Sequence, residues 1–554
     1  MTSTATAEAP SARPGSSDHP ALTHRQIVTI LIGLMTGMFL AALDQTIVAT
    51  AIRTISDDLN GLSQQAWVTT AYLITSTIVT PLYGKLSDIY GRKRFFLAAI
   101  SIFIIGSALC SFAGSMWQLA AFRAVQGLGA GGLFSLAFAI LGDIVPPRER
   151  ARYQGFFLAV FGTSSVLGPV VGGFLAGQSS ILGITGWRWV FLVNVPLGLI
   201  ALAVVGRTLH LRHQRLDHRI DWWGAVALAV GAVPLLLVAE QGREWGWGSF
   251  HSLVCYVIGA LGIGAFVAIE ARMGDEALLP LHLFRNRTIG VSSVISVVIG
   301  IGMFGGIAML PLYLQIVRGA SPTKAGLLML PLTLGIMTGS ILSGQLIARY
   351  GRYRPFIRVG GLLLTVALVM FGFLRYDTPM WQLMVPMVIF GLGLGFMMQP
   401  LMLAVQNSAQ RKDMGVATSS ATFTRQIGGT LGTAVFLSIL FSVVPQRLTD
   451  AFTRLVPGAD FQAAVHDPQV MQNPVNQAFV KALQAGDRGA LNPLNDSSFI
   501  QQLDPRLARP FLEGFSNSMN LVFFVGAAVM FVGWLVTFLL PHVELKGGER
   551  PIAE

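Results

Sequence analysis

The chain is poor in what soluble enzymes depend on. Charged residues make up only 12% of its 554 positions, about half the share in an ordinary soluble domain. Its two cysteines, Cys110 and Cys255, both sit inside apolar runs. They read as small core residues, with no disulfide or metal framework behind them. There is no G-x-x-x-x-G-K-[ST] phosphate loop, no H-E-x-x-H and no His/Cys cluster at metal-ligand spacing. Hydrolase, ATPase and metal-centre readings therefore lack a motif to stand on, and no cofactor is expected. A cleavable signal peptide is also missing, because the first apolar run is too long and starts too far in.

Apolar residues are what the chain has in excess: 53% is hydrophobic, and the mean hydropathy is +0.62. Apolar runs long enough to cross a bilayer recur along the whole length. The chain is thus an all-α polytopic membrane protein whose constant partner is the lipid bilayer. The net charge of +11 does not point to nucleic acid, since the basic residues sit in alternate short loops.

The runs predict fourteen spans, at about 27–52, 64–83, 95–114, 117–142, 153–177, 188–208, 222–240, 251–270, 288–312, 325–347, 357–374, 381–403, 415–444 and 519–540. Alternate short loops assigned inside hold twenty Lys/Arg, against six in the short loops and span ends assigned outside. This bias puts both termini in the cytoplasm of a plasma-membrane protein. Residues 1–25, rich in Ala, Ser, Thr and Pro, read as a disordered cytoplasmic tail. Residues 445–518 form one long outer loop, read either as a partly helical flap without chemistry or as a lid over the outer mouth. Trp187, Trp189, Trp245 and Trp247 fall at outer interfaces as an anchoring belt would. His210, His213 and His218 extend the basic character of one inner loop.

The charged turn Gly84-Lys85-Leu86-Ser87-Asp88-Ile89-Tyr90-Gly91-Arg92-Lys93-Arg94 joins the second and third spans. Its single acid, Asp88, calls for a partner. Arg92, Arg150, Arg152 and the positive helix end near Met414 are the candidates. The stretch Gly344–Arg352 echoes this turn at an offset of 260, with Gly344 on Gly84, Gly351 on Gly91, Arg352 on Arg92 and Ala348 replacing Asp88. Gly391-Leu392-Gly393 echoes Gly127-Leu128-Gly129 at nearly the same offset. Internal repeats of this kind build a site between two halves. The implied division is a six-helix bundle at 26–210, two inserted spans at 211–275, a second six-helix bundle at 276–545 and a short tail at 546–554.

Ionisable groups within spans are few and costly, about 2.5–3.5 kcal/mol at a helix centre. Asp44 is the deepest, and reads as a proton carrier or as a structural polar contact between helices. Arg123 lies near enough to reach it, or snorkels to the surface. Gln126 shares the Arg123 helix face. Arg425 enters span 13 as a further cavity or coupling candidate. Glu240 and Glu270 sit at span ends and read as interfacial. Gly168, Pro169, Gly172 and Gly173 in span 5 permit close packing and a bend.

These stretches resemble the major facilitator superfamily, and within it the fourteen-span drug:proton antiporters of the QacA/EmrB type. Gly84, Leu86, Asp88, Gly91, Arg92 and Lys93 match its loop motif G-x-L-x-D-x-x-G-R-[KR]. Leu43–Val48 resembles the span-1 motif, and Arg123–Gly127 the R-x-x-Q-G motif. Gly168–Gly173 resembles the G-P-x-x-G-G antiporter motif, with Ser164 where a glycine often precedes it. Thr424–Gly429 resembles a span-13 pattern. The resemblance implies a major facilitator fold and a proton-driven exporter of small amphipathic drugs or antibiotics, not an enzyme, working as a monomer by alternating access. It implies that Asp44 and Arg123 act in proton coupling, and that Asp88 latches the halves on the cytoplasmic side. A lipid or native-metabolite exporter, or a non-transporting receptor, would share the fold. With Asp44 as the deep acid, neutral or zwitterionic cargo, or a modest range of cations, is expected.

Overall fold

Apolar runs bounded by Gly, Pro and capping residues fold as helices, because a helix satisfies its own backbone hydrogen bonds where water is absent. The structure is a computed structural model that describes residues 24–60, 64–209, 220–485 and 498–541. The expected N-terminal tail lies almost wholly outside the described residues. So do His210, His213 and His218, and the short C-terminal tail.

The first group of helices is α1 (His24–Asp58), α2 (Gln65–Tyr90), α3 (Arg92–Ser111), α4 (Met116–Ile144), α5 (Pro147–Ala176), the short α6 (Trp189–Leu192) and α7 (Asn194–Thr208). A two-residue hairpin, β1 (Ser180–Ile181) with β2 (Ile184–Thr185), links α5 to α6. Leu182 and Gly183 turn it with φ of 52° and 78°, the type I′ geometry that suits a tight hairpin. The pair α8 (Trp222–Trp245) and α9 (Phe250–Met273) follows. The last group is α10 (Leu281–Arg285), α11 (Arg287–Leu312), α12 (Pro322–Leu328), α13 (Leu330–Tyr350), α14 (Arg354–Phe371), α15 (Met380–Ser408), α16 (Met414–Leu455), α17 (Ala459–His466), α18 (Pro474–Ala485) and α19 (Pro505–Val536).

The two groups pack alike. In the first, α1 lies on α5 and α7, α4 on α2 and α3, and α3 on α7. In the last, α11 lies on α16 and α19, α15 on α13 and α14, and α14 on α19. The groups meet along α5 against α13 and α2 against α16, while α8 pairs with α9 and rests on α2 and α16.

Among the described residues, thirteen helical stretches are long and apolar enough to cross a membrane. The remaining expected span is α2, which has the length but is diluted by Thr69, Thr70, Thr75, Ser76, Thr77 and Thr80. Its hydroxyls turn onto carbonyls of their own helix: Thr75 donates to Ala71 at 2.9 Å and Thr80 to Ser76 at 2.7 Å. This lets α2 run buried between α4 and α16.

Several expectations change. The turn 84–94 is almost entirely helical, since α2 runs to Tyr90 and α3 starts at Arg92. Gly91 alone reverses the chain, with φ of 105°, a conformation open to glycine. Spans 13 and 14 are longer than expected, so the outer loop shrinks from both ends. Its described part is helical and gathers Phe452, Phe479 and Phe499 around Phe511, with ring centroids 4.9–5.6 Å from it. Gln501 donates to the Ile316 carbonyl at 3.0 Å, tying this cap to the helical turn that follows α11. Trp187 is not an interfacial anchor; it is buried and donates to Asp58 at 2.8 Å. Glu270 is buried too, accepting from the Leu279 backbone N–H at 3.0 Å.

Candidate functional site

Asp44 stands in the middle of α1 and is completely buried. Its Oδ2 takes a hydrogen bond from Arg123 Nη1 at 2.5 Å. Its Oδ1 accepts from Gln126 Nε2 at 2.9 Å and from Asn194 Nδ2 at 2.8 Å. Arg123 and Gln126 are three apart on α4 and so share one face. Arg123 Nη1 also donates to Gln126 Oε1 at 2.7 Å. Its guanidinium lies 4.0 Å from the centroid of the Tyr72 ring, a cation–π contact. Asn194, at the start of α7, donates further to Ser107 Oγ at 3.0 Å, and Ser107 donates to the Phe191 carbonyl at 2.9 Å.

The carboxylate thus has an opposite charge and two amide donors in a water-poor place. Without them a buried carboxylate would be expelled or protonated. Asp44, Arg123 and Gln126 are brought together as their positions suggest. Asn194, Tyr72 and Ser107 were missed. The signal for Asn194 was present: one amide in the apolar stretch Phe191-Leu192-Val193-Asn194-Val195.

The glycine-proline stretch of α5 lies directly against this site. Thr46, two residues after Asp44, donates to the Ser164 carbonyl at 3.0 Å. A Cβ on Gly168 would collide with Thr46, and one on Gly172 would meet the Ile47 carbonyl at 2.8 Å. Pro169 and Gly173 face the other group of helices instead. Pro169 packs on Gly326, and Gly173 lies beside Thr323. One helix therefore touches both the Asp44 segment and α12.

At the end of the bundle bearing the basic loops, Asp88 finds two of its four candidate partners. It pairs with Arg92 and accepts from the backbone N–H groups of Gly415 at 3.1 Å and Val416 at 2.9 Å. These are unpaired donors at the N-terminus of α16, where a negative charge is favoured. Arg92 also holds Asp143 at 2.8 Å, a partner the sequence reading missed. Arg150 caps the end of α4 through the Gly142 and Val145 carbonyls, and Arg152 is exposed. Gly84 is required by proximity, because a Cβ there would meet the Gly415 carbonyl at 2.8 Å and collide with Ser419. Gln154 Nε2 donates to Gln406 Oε1 at 3.0 Å, and Gln406 donates to the Phe138 carbonyl at 2.9 Å, across the same end.

Arg425 is not part of the Asp44 network. It projects from α16 into a small cavity bounded by α11, α15 and α16. Among the described residues no group of three His, Cys, Asp or Glu is placed to hold a metal ion.

Residues 34–433 match the sequence profile of the Major Facilitator Superfamily. The chain belongs to that superfamily. It is 34% identical to the multidrug transporter protein MdtP of Bacillus subtilis over 94% of both chains. It is 37% identical to a tetracycline resistance determinant of Streptomyces rimosus, over 60% of this chain and 95% of that one. Its fold is similar to that of the proton:xylose symporter XylE, with a TM-score of 0.58 at 15% identity over 94% of this chain and 97% of that one. As a superfamily member the chain is a multi-pass membrane transporter of the all-α major facilitator fold, not an enzyme, and it acts on a small-molecule substrate.

Proposed function

We propose that this transporter is a proton-coupled exporter that moves amphipathic drugs or antibiotics out of the cell by alternating access. The observation that carries the reading is the sealed Asp44–Arg123–Gln126–Asn194 cluster, an acid held against an arginine deep within a transporter bundle. Intramembrane acids of this kind are functional by default. The multidrug and tetracycline-resistance relatives support the drug-efflux class. Protonating Asp44 would release Arg123 and loosen both amide bonds, so proton arrival and helix movement are coupled through one carboxylate. Thr46 and the glycine face of α5 give that change a path to α12. Asp88 would hold the cytoplasmic end shut until the halves rock apart. The twofold six-helix division, a plasma-membrane setting with cytoplasmic termini and a monomeric state belong to the same reading; the loop-charge bias supports the orientation.

The test is Asp44→Asn in everted membrane vesicles energised with a proton gradient. Uptake of a drug that the parent protein accumulates is expected to fall to the level seen with a protonophore. Unchanged gradient-driven uptake would sink the coupling role.

A further inference from the structure

Arg425 lies eleven residues beyond the start of α16 at Met414, so about 16 Å along the helix axis at 1.5 Å per residue. Its backbone is held in place by α11, because Gly300 is so close that a Cβ there would collide with the Arg425 carbonyl. The neighbouring Gln426 Oε1 lies 3.3 Å from the Thr80 hydroxyl of α2, which sets this turn of α16 at the seam between the two helix groups. The Arg425 side chain is half-buried, and its guanidinium lines the cavity. Among the described residues it makes no hydrogen bond or ion pair.

The rest of the wall is Ser296, Ile299, Met398, Leu401, Met402 and Ala421. Ser296 supplies a hydroxyl that also makes no hydrogen bond among the described residues. The other five are apolar, and two are methionines, which adapt to differently shaped ligands. A guanidinium cannot shed its charge in a protein, and it offers a planar fork that fits a carboxylate or a similar delocalised anion.

We propose that Arg425 and Ser296 form the anion-recognition point of the substrate site, and that the preferred cargo is an amphipathic organic anion. Its carboxylate or enolate enters this small cavity and pairs with the guanidinium, with Leu401 and the two methionines as the apolar wall beside it. A cation would meet like charge at this point, and a neutral compound would leave the guanidinium unpaired. This differs from the neutral or zwitterionic cargo, or modest range of cations, expected from Asp44 as the deep acid, since Asp44 is already satisfied by Arg123, Gln126 and Asn194. The inference rests on the exporter reading only for the word cargo; the binding site stands by itself.

The experiment uses the full chain in lipid nanodiscs and three probes with one fluorophore: dansyl-leucine (anion), dansylamide (neutral) and dansylcadaverine (cation). Dansyl-leucine is expected to bind at least about tenfold more tightly than the other two, as a charge-assisted bidentate contact would give. Arg425→Gln should remove that preference, Arg425→Lys should keep part of it, and Ser296→Ala should weaken dansyl-leucine alone by about threefold, the scale of one modest hydrogen bond. Equal binding of all three probes, or an anion preference that survives in Arg425→Gln, would overturn the assignment. If Arg425→Gln does not fold, the Lys and Ser296→Ala variants decide it. Loss of proton-driven transport in Asp44→Asn with the anion preference intact leaves this site standing. Anion-selective binding without any gradient-driven transport would instead count against the exporter reading.

Discussion

Asp44 and Arg123 in the first group of helices are fully buried, whereas Arg425 in the last is half-buried. The first two neutralise each other and are braced by Gln126 and Asn194; the third faces a cavity without a partner among the described residues. The repeat offset makes the contrast sharper. At 260 residues on, Asp44 falls on Phe304 and Arg123 on Leu383. The two groups share a packing plan but not a charge plan. A closed ion pair suits a group that must gain and lose a proton without touching cargo. An open guanidinium suits a group whose partner arrives from outside. The proposed division of labour between coupling and recognition rests on that difference.

The largest expected effect tests the difference through stability. Arg123→Gln leaves Asp44 buried with its charge uncompensated, and should cost about 3–5 kcal/mol, as breaking a buried pair does. Arg425→Gln removes no partner, so its thermal midpoint should equal or exceed that of the parent. Thermal unfolding of both variants in one detergent is the measurement. Comparable losses in the two would mean that Arg425 has a partner, and the contrast would be gone.

A smaller effect is expected from combining changes on the paired side. Asp44→Asn added to Arg123→Gln should recover part of the loss, with a coupling of about 1–3 kcal/mol, because the two side chains touch. The same Asp44→Asn added to Arg425→Gln should be additive. Coupling between Asp44 and Arg425 would join the two sites into one.

How much of this was legible in the sequence differs between the two sites. The helical bundle follows from apolar runs and loop charge, which act locally. Asp44, Arg123 and Gln126 stood out because ionisable groups in spans are rare and two of them share a helix face. Asn194 did not, because an amide carries no charge and its partner lies 150 residues away. Asp143 carries a charge, but its pairing was hidden by distance along the chain, since it joins Arg92 across 51 residues. The isolation of Arg425 has no signature in sequence at all, since lacking a partner is a property of three-dimensional surroundings. The outer cap was misjudged in another way. Phe452, Phe479, Phe499 and Phe511 are scattered through polar sequence, and only the packing of several helices gathers them.

The Asp88 latch tests whether the two groups are held together at the end expected to be cytoplasmic. Asp88→Asn keeps the side-chain shape but removes the charge that meets Arg92 and the Gly415 and Val416 N–H groups. The loss should be about 1.5–3 kcal/mol, the scale of hydrogen bonds to a charged group. In a background with Cys110→Ser and Cys255→Ser, a cysteine placed at Ser420, which is buried, should react faster with a membrane-impermeant maleimide in everted vesicles. Gly84→Ala should act in the same direction through its clash with Ser419. Labelling at the parent rate in both variants would mean that the latch does not hold this end closed.

The smallest effect concerns ion pairs that the last group carries on the helical cap between α16 and α19. The Gln469 backbone N–H and then Arg506 hold the Asp467 carboxyl below the usual carboxylate range. Arg506, through its side chain and then its backbone N–H, does the same for Asp504. Carboxyls with lowered values in the fold stabilise it above their ordinary value, about 4, and that contribution fades as pH falls through the ordinary value towards the lowered ones. These pairs are exposed to water, so screening keeps their contribution small. Between pH 6 and pH 3.5 the parent should lose slightly more of its thermal midpoint than Arg506→Gln does, and added salt should narrow the gap. The Asp44 pair, shielded from solvent ions, should show no such salt response. If the cap variant and the parent fall by the same amount, the charges on the cap do not stabilise it. The contrast between the two groups would then rest on Arg425 and Asp44 alone.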